Sequence, residues 1–242
     1  MRINYKEPYW VKYQWDLSNH HENQYVTEFN KTENGDLIDF IYNNRFTITC
    51  EFKIPKDYKR DTICAIFGKP GMNMGLTYNT ETKTTGFEFW AGDKKFYFIS
   101  FDFITEEDIE NGVIATVIKD RNTISTYKNF VKTNELTFEG DFIDDYRYGG
   151  LYLGCGNAGT HVPEHRLYCE VDVNYFSIIN NSANIEIAKD LYGSETHTIV
   201  RKTYYDKILC LYNFESINNI GVVYDESKNF NFLEKVPTQF IS

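Results

Sequence analysis

The run "CEVDVNYFSIINN", Cys169 to Asn181, sets Glu170 and Asp172 two residues apart. An extended strand points alternate side chains to opposite faces. Glu170, Asp172 and Asn174 therefore share one face, and Val171, Val173 and Tyr175 the other. Paired carboxylates can cleave a glycosidic bond when one is ionised and one protonated, about 5–5.5 Å apart in a retaining mechanism. The next positions are Asn174 and Tyr175, and neither donates a proton near neutral pH as a carboxylic acid of raised pKa does. The bland alternative is the wetted face of a sheet, where acidic residues at this spacing arise by chance.

Other reactive types are scattered. His161 and His165 stand four apart in "THVPEHR", but Pro163 between them argues against the helix that would turn both toward a metal. His20 and His21 are adjacent, but no cysteine or carboxylate stands at a spacing that completes a tetrahedral set, and solvated imidazoles on a loop are the competing reading. Asp141, Asp144 and Asp145 in "GDFIDDYRYGG" offer the hard oxygens that calcium accepts, without the spacing of an EF-hand. A solvated acidic loop is the competing reading. "GKPGMNMG" has glycines but lacks the G-K-[ST] that cradles phosphate, and no G-x-S-x-G occurs. Trp90, Tyr97, Tyr146 and Tyr148 offer flat rings on which the C–H face of a pyranose could stack. Most aromatics in such a chain fill a core instead.

The elements that must hold these residues read as strands. "RFTITCEFKI", "DTICAIFG", "GLTYNTE", "TGFEFWAG" and "KKFYFISFDF" are β-branched or aromatic runs broken by Gly, Pro and Asp. Hairpins are predicted around "AGDK" and at Asp120 to Asn122. One helix is predicted in "NSANIEIAKDLYG", with Ser182 as N-cap, Ile185, Ala188, Leu191 and Tyr192 as its apolar face, and Gly193 at its end. "EDIENG" reads as an acidic loop. In "KILCLYNF", alternation puts Ile208, Cys210, Tyr212 and Phe214 on one face and Leu209 and Leu211 on the other.

Composition narrows the partners. A formal charge of −10, from 25 basic against 35 acidic residues, excludes the electrostatic footprint of nucleic-acid binding. No apolar run is long enough for membrane insertion. "MRINYKEPYW" has no apolar stretch after its basic residues, so synthesis in a cytoplasm without a signal peptide is expected. With that goes an expectation of reduced thiols at all five cysteines.

Taken in order, "FTITCEFKIP", "ICAIFGKPGMNMGLTYN", "GVIATVIKDRNTISTYKN", "LYLGCGN" and "VNYFSIINNSANIEIAKDLY" resemble the laminin-G-like group of concanavalin A-like jelly rolls. The resemblance is clearest over residues 40–193, and "KNFVK" departs from the group's common "vNG" turn. It implies an all-β antiparallel sandwich with one short helix near residues 182–192. Glycoside hydrolases on this scaffold carry E-x-D-x-E or E-x-D-x-x-E on one strand. Glu170 and Asp172 match the first two positions, and Asn174 stands where the third carboxylate should. Several members bind calcium, which would fall to Asp141, Asp144 and Asp145; no other cofactor is implied. "ILCLYNFES" and "YDESKNFNF" resemble the strand that ordinarily opens such a domain. Residues 1–203 are thus expected to form the jelly roll, and residues 204–242 to complete it or to dock on a partner.

The function expected is non-enzymatic: a binding or assembly module that recognises a glycan or a protein surface, with a homo-oligomer or a bacteriophage virion as its setting. The alternative is a glycoside hydrolase-like enzyme with a degenerate Glu170-Asp172-Asn174 site.

Overall fold

Short strands joined by tight turns make up most of the described residues. The computed structural model describes residues 1–4, 9–13, 45–56, 61–69, 74–92, 94–102, 104–142, 151–156, 167–180, 182–193, 207–214, 226 and 231–235. In chain order the elements begin with β1 (Arg2–Ile3), β2 (Tyr9–Tyr13), β3 (Arg45–Lys53), β4 (Ile63–Lys69), β5 (Met74–Asn79), β6 (Thr84–Ala91) and β7 (Lys95–Ser100). Helix α1 (Glu106–Asn111), β8 (Val113–Asp120), β9 (Thr123–Lys128), β10 (Val131–Thr137), β11 (Tyr152–Leu153) and β12 (Val171–Asn180) follow. Helix α2 (Ile185–Gly193), β13 (Ile208–Asn213) and β14 (Asn231–Lys235) come last.

The described strands form two sheets of seven. Sheet A runs β1-β12-β3-β8-β9-β10, with β13 also paired to β12; sheet B runs β14-β2-β11-β4-β5-β6-β7. Every pairing is antiparallel. The fold is an all-β antiparallel jelly-roll sandwich. β13, within the C-terminal segment, lies along β12.

The core lies between the sheets. β3 sends Phe46, Ile48, Cys50 and Phe52 inward, all essentially inaccessible. Phe67 of β4 meets Phe176 of β12 edge-on, 5.4 Å between ring centroids. Phe89 stacks on Phe142 at 4.5 Å and on Tyr97 at 5.3 Å. Full burial of each such ring contributes about 1.5–3 kcal/mol.

Turn chemistry sets the hairpins. Asp120 pairs with Thr123 across Arg121, which takes φ 54°. "KNFVK" closes another two-residue turn, with Asn129 at φ 49° and Phe130 at φ 65°, the double positive φ of a type I′ turn. Asn129 tolerates that region, and its Oδ1 accepts the Ile114 amide at 3.1 Å. The Phe130 ring packs on Tyr192 at 5.5 Å.

Four local expectations are corrected. "EDIENG" is not a loop: Thr105 and Asp108 form a capping box that starts α1. Ser182 does not cap α2, because the helix begins only at Ile185; Asn184 takes the role, its Oδ1 accepting the Glu186 amide at 2.9 Å. The buried face of α2 is Ile187, Ala188 and Leu191, with Ile185 only half-buried. In β13 the register slips, since Ile178 faces Cys210 while Ile179 faces Ile208. That inserts Leu209 as an extra residue, so Leu209 joins Cys210, Tyr212 and Phe214 in the main core while Ile208 turns toward α2.

Candidate functional site

A bulge in β12 builds the site. Val173 pairs with Phe52 and Tyr175 with Glu51, which leaves Asn174 as the additional residue. A bulge of this kind bends the strand and re-aims side chains. Val171, Val173, Phe176 and Ile178 enter the main core, whereas Tyr175 joins Ile179 under α2. Tyr175 therefore does not share a face with Val171 and Val173, as uninterrupted alternation would have it. Helix α2 covers the outer face of sheet A as far as Tyr192, and a pocket of about 500 Å³ opens beyond it.

The pocket is lined by Met1, Glu51, Asn174, Tyr175, Tyr192, Asn213 and Phe214. Tyr192 donates its hydroxyl to Glu51 Oε2 at 3.0 Å. Asn174 Nδ2 donates to Glu51 Oε1 at 3.4 Å. The Tyr192 ring meets Tyr175 edge-on at 5.1 Å. Burial, then the hydrogen bond to the Glu51 carboxylate, pushes the Tyr192 hydroxyl up to about 12, so it remains a donor at physiological pH. The result is a single carboxylate held between two donors, with carboxamides and aromatic rings around it. Such a set can hydrogen-bond hydroxyls and pack an apolar ring face.

The predicted acidic face is only partly drawn into this pocket. Asn174 lines it; Glu170 and Asp172 do not. Both oxygens of Asp172 accept from Arg2 of β1, at 2.7 and 2.8 Å. Glu51, Asn213 and Phe214 were not singled out by sequence. Glu51 sits on the outward phase of β3, and only the pairing with Tyr175 brings it beside Asn174.

The other predicted residues fall elsewhere. Trp90 is half-buried on β6 of the opposite sheet. Tyr97 is corrected to a core residue: it is 8% exposed, with one ring face against Phe89 and Lys95 Nζ 4.9 Å from its centroid. Asp141 is exposed, and its carbonyl accepts the Gly92 amide at 2.9 Å. Among the described residues no group of three metal-ligating side chains gathers, around Asp141 or elsewhere. Tyr146, Tyr148, Asp144, Asp145, His20, His21, His161 and His165 lie outside the described residues. No described helix is long and apolar enough to cross a membrane.

The fold places the chain in the class of β-sandwich domains. No family model matches the sequence, and no curated protein matches it. Solved structures do match by shape. One is a Bacteroides ovatus protein provisionally assigned as carbohydrate binding, with TM-score 0.56 and 11% identity over 98% of this chain and 61% of the other. Another is the receptor binding domain of the botulinum neurotoxin C/D mosaic serotype, with TM-score 0.49 and 14% identity over 67% of this chain and 39% of that one. A third is the binding domain of Paraclostridial Mosquitocidal Protein 1, with TM-score 0.46 and 13% identity over 63% and 38%. The chain thus spans about three-fifths of the first of these structures and under two-fifths of the other two. At these identities the likeness is one of fold.

Proposed function

We propose that this chain is a non-enzymatic binding module that recognises a glycan in the pocket at the β12 bulge. The observation that carries the reading is the lone Glu51 carboxylate, oriented by Tyr192 and Asn174 among Tyr175, Asn213 and Phe214. A carboxylate accepts sugar hydroxyls, carboxamides both donate and accept, and aromatic rings pack the C–H face of a pyranose. The volume suits one or two sugar rings. The Bacteroides ovatus structure supports the ligand class through its fold alone.

Hydrolysis is the weaker reading. Retention needs a second carboxylate across the scissile bond. The pocket has one, and Asp172 is engaged by Arg2. A glycan array is the direct test, with Glu51→Gln and Asn174→Ala beside the wild type. Loss of binding in both variants supports the pocket, and wild-type binding in both removes it. Turnover of β-glucans or marine galactans, lost on Glu170→Gln, would establish the enzyme instead. Recognition of a protein surface, and a bacteriophage virion appendage as the setting, belong to the same proposal. Immunoblotting of purified particles checks that setting, and light scattering checks for a homo-oligomer.

A further inference from the structure

We infer that the outer face of β6 and β7 is a second sugar-stacking surface, in which Phe98, Trp90 and Phe96 surround Glu88 and take the C–H face of a neutral pyranose. The inference rests on the glycan reading for its ligand class, but not on the β12 pocket, which lies on the other sheet.

The hairpin has one inward and one outward face. Thr85, Phe87, Phe89 and Ala91 of β6 and Tyr97 and Ile99 of β7 are buried. Gly86, Glu88 and Trp90 alternate with them on β6, and Phe96 and Phe98 on β7. Phe96 is 47% and Phe98 44% exposed, two of the four large hydrophobic residues left exposed among those described. Cross-strand register sets Trp90 opposite Phe96 and Glu88 opposite Phe98. The Trp90 and Phe96 rings are 5.6 Å apart at 63°.

Two glycines make this face shallow. Gly75 of β5 is paired with Glu88, and Gly86 lies two residues before it, so neither neighbour raises a side chain. A Cβ added at Gly86 would run into the ring of Phe98. That ring therefore lies over the glycine instead of standing off the sheet, and its other face turns outward. Glycine in a strand interior gives up packing and often marks a place where another group comes close.

Glu88 supplies the polar contact. It has no hydrogen-bond or ion-pair partner among the described residues, and burial among its neighbours holds its carboxyl up at about 7. A hydroxyl donor from a stacked sugar meets the need of that group, and a purely apolar partner would worsen it. Aromatic faces beside a single hydrogen-bonding carboxyl fit a ligand with one apolar face and a hydroxylated rim.

The test is a printed glycan array followed by titration of the best-bound oligosaccharide against the full chain. The variants are Phe98→Ala, Phe98→Trp, Trp90→Ala, Glu88→Gln and, for the pocket, Glu51→Gln. Loss of stacking in Phe98→Ala and Trp90→Ala should weaken binding about tenfold, with Phe98→Trp close to wild type and Glu88→Gln weakened several-fold. Wild-type affinity in both alanine variants, with loss in Glu51→Gln, overturns the surface and leaves the pocket standing. The reverse pattern removes the pocket and leaves the surface. A wild-type chain that binds no printed glycan overturns both. Should Phe98→Ala fail to fold, amide shifts of the wild type decide: perturbation across residues 86–98 supports the surface, and unperturbed amides there under saturating glycan overturn it.

Discussion

The sulfurs of Cys64 and Cys169 lie 3.1 Å apart, and both residues are fully buried. Cys64 belongs to β4 of one sheet, and Cys169 lies two residues before β12 of the other. The surrounding backbone is already fixed, with Gly154 donating to Ile66 at 2.8 Å and Cys169 to Gly154 at 3.0 Å. A disulfide needs the sulfurs at about 2.05 Å, within reach of a small side-chain rotation.

All five cysteines are buried and no disulfide joins them here, and reduced protein should label at all five after denaturation. Refolding with glutathione disulfide should instead join Cys64 to Cys169. The two thiols lose two protons and two electrons, and the oxidant leaves as two glutathiones. Intact mass should fall by about 2 Da and unfolding free energy rise by about 4–5 kcal/mol, as expected for a bridge closing so long a loop. Cys64→Ser should abolish both changes. A bridge through Cys50, whose thiol is pushed up by burial and so kept neutral, would refute the pairing.

Glu88 gives stability an unusual pH slope. Burial raises its carboxyl from 4.5 to about 7, so the folded chain binds a proton that the unfolded chain has released. For a raised acid, the stabilisation is complete below the unfolded value and is lost as pH rises through the folded one. Unfolding free energy should therefore fall between about pH 4.5 and 7 and level off above. The side chain is only partly buried, so solvent screening makes about 3 kcal/mol an upper bound. Urea melts at pH 5 and 8 measure it, and Glu88→Gln should flatten the slope. An equal slope in that variant would place its cause elsewhere.

Much of the sandwich was legible because its signals are local. Strand runs such as Phe46 to Phe52 carry their own alternation, and the turn at Arg121 follows from two residues between paired strands. Helix α1 was misread as a loop, because it is only six residues long and its one local signal is the Thr105-to-Asp108 capping box. The site was not legible. Its geometry depends on the extra residue at Asn174, and nothing in "VDVNYF" distinguishes a bulge from simple alternation. The pairing of Glu51 with Tyr175 joins strands over a hundred residues apart, a contact that no local pattern specifies. The cap at Asn184 went the same way: Ser182 is an equally good capping type, and only the start of the helix at Ile185 selects Asn184.

The turn between β9 and β10 should be sensitive at Asn129. Its φ of 49° disfavours most side chains, and Oδ1 satisfies the Ile114 amide. Asn129→Ala removes the acceptor and keeps the backbone strain, at a cost of about 1–2 kcal/mol. Asn129→Gly removes the acceptor but relieves the strain, so it should cost less. Chemical denaturation of both variants checks the order, and equal losses would show that conformation at this position contributes nothing.

Truncation after Thr203 tests whether residues 204–242 belong to the fold. β13 pairs with β12 from Tyr175 to Ile179, and Leu209, Cys210, Tyr212 and Phe214 sit in the main core. On the other face Ile208 and Leu211 pack with Leu191 and Ala188 of α2. A strand that is apolar on both faces cannot leave without exposing both. Each large side chain accounts for about 1.5–3 kcal/mol, so their sum rivals the 5–15 kcal/mol that typically separates folded from unfolded. Removal also bares the edge of β12 along its most apolar stretch, Phe176 to Ile179, which invites pairing with other chains. The truncated protein should be insoluble, or melt far below the full chain, and should lose the pocket with Asn213 and Phe214. A soluble fragment with an unchanged melting temperature would show that β13 adds nothing to the stability of the sandwich.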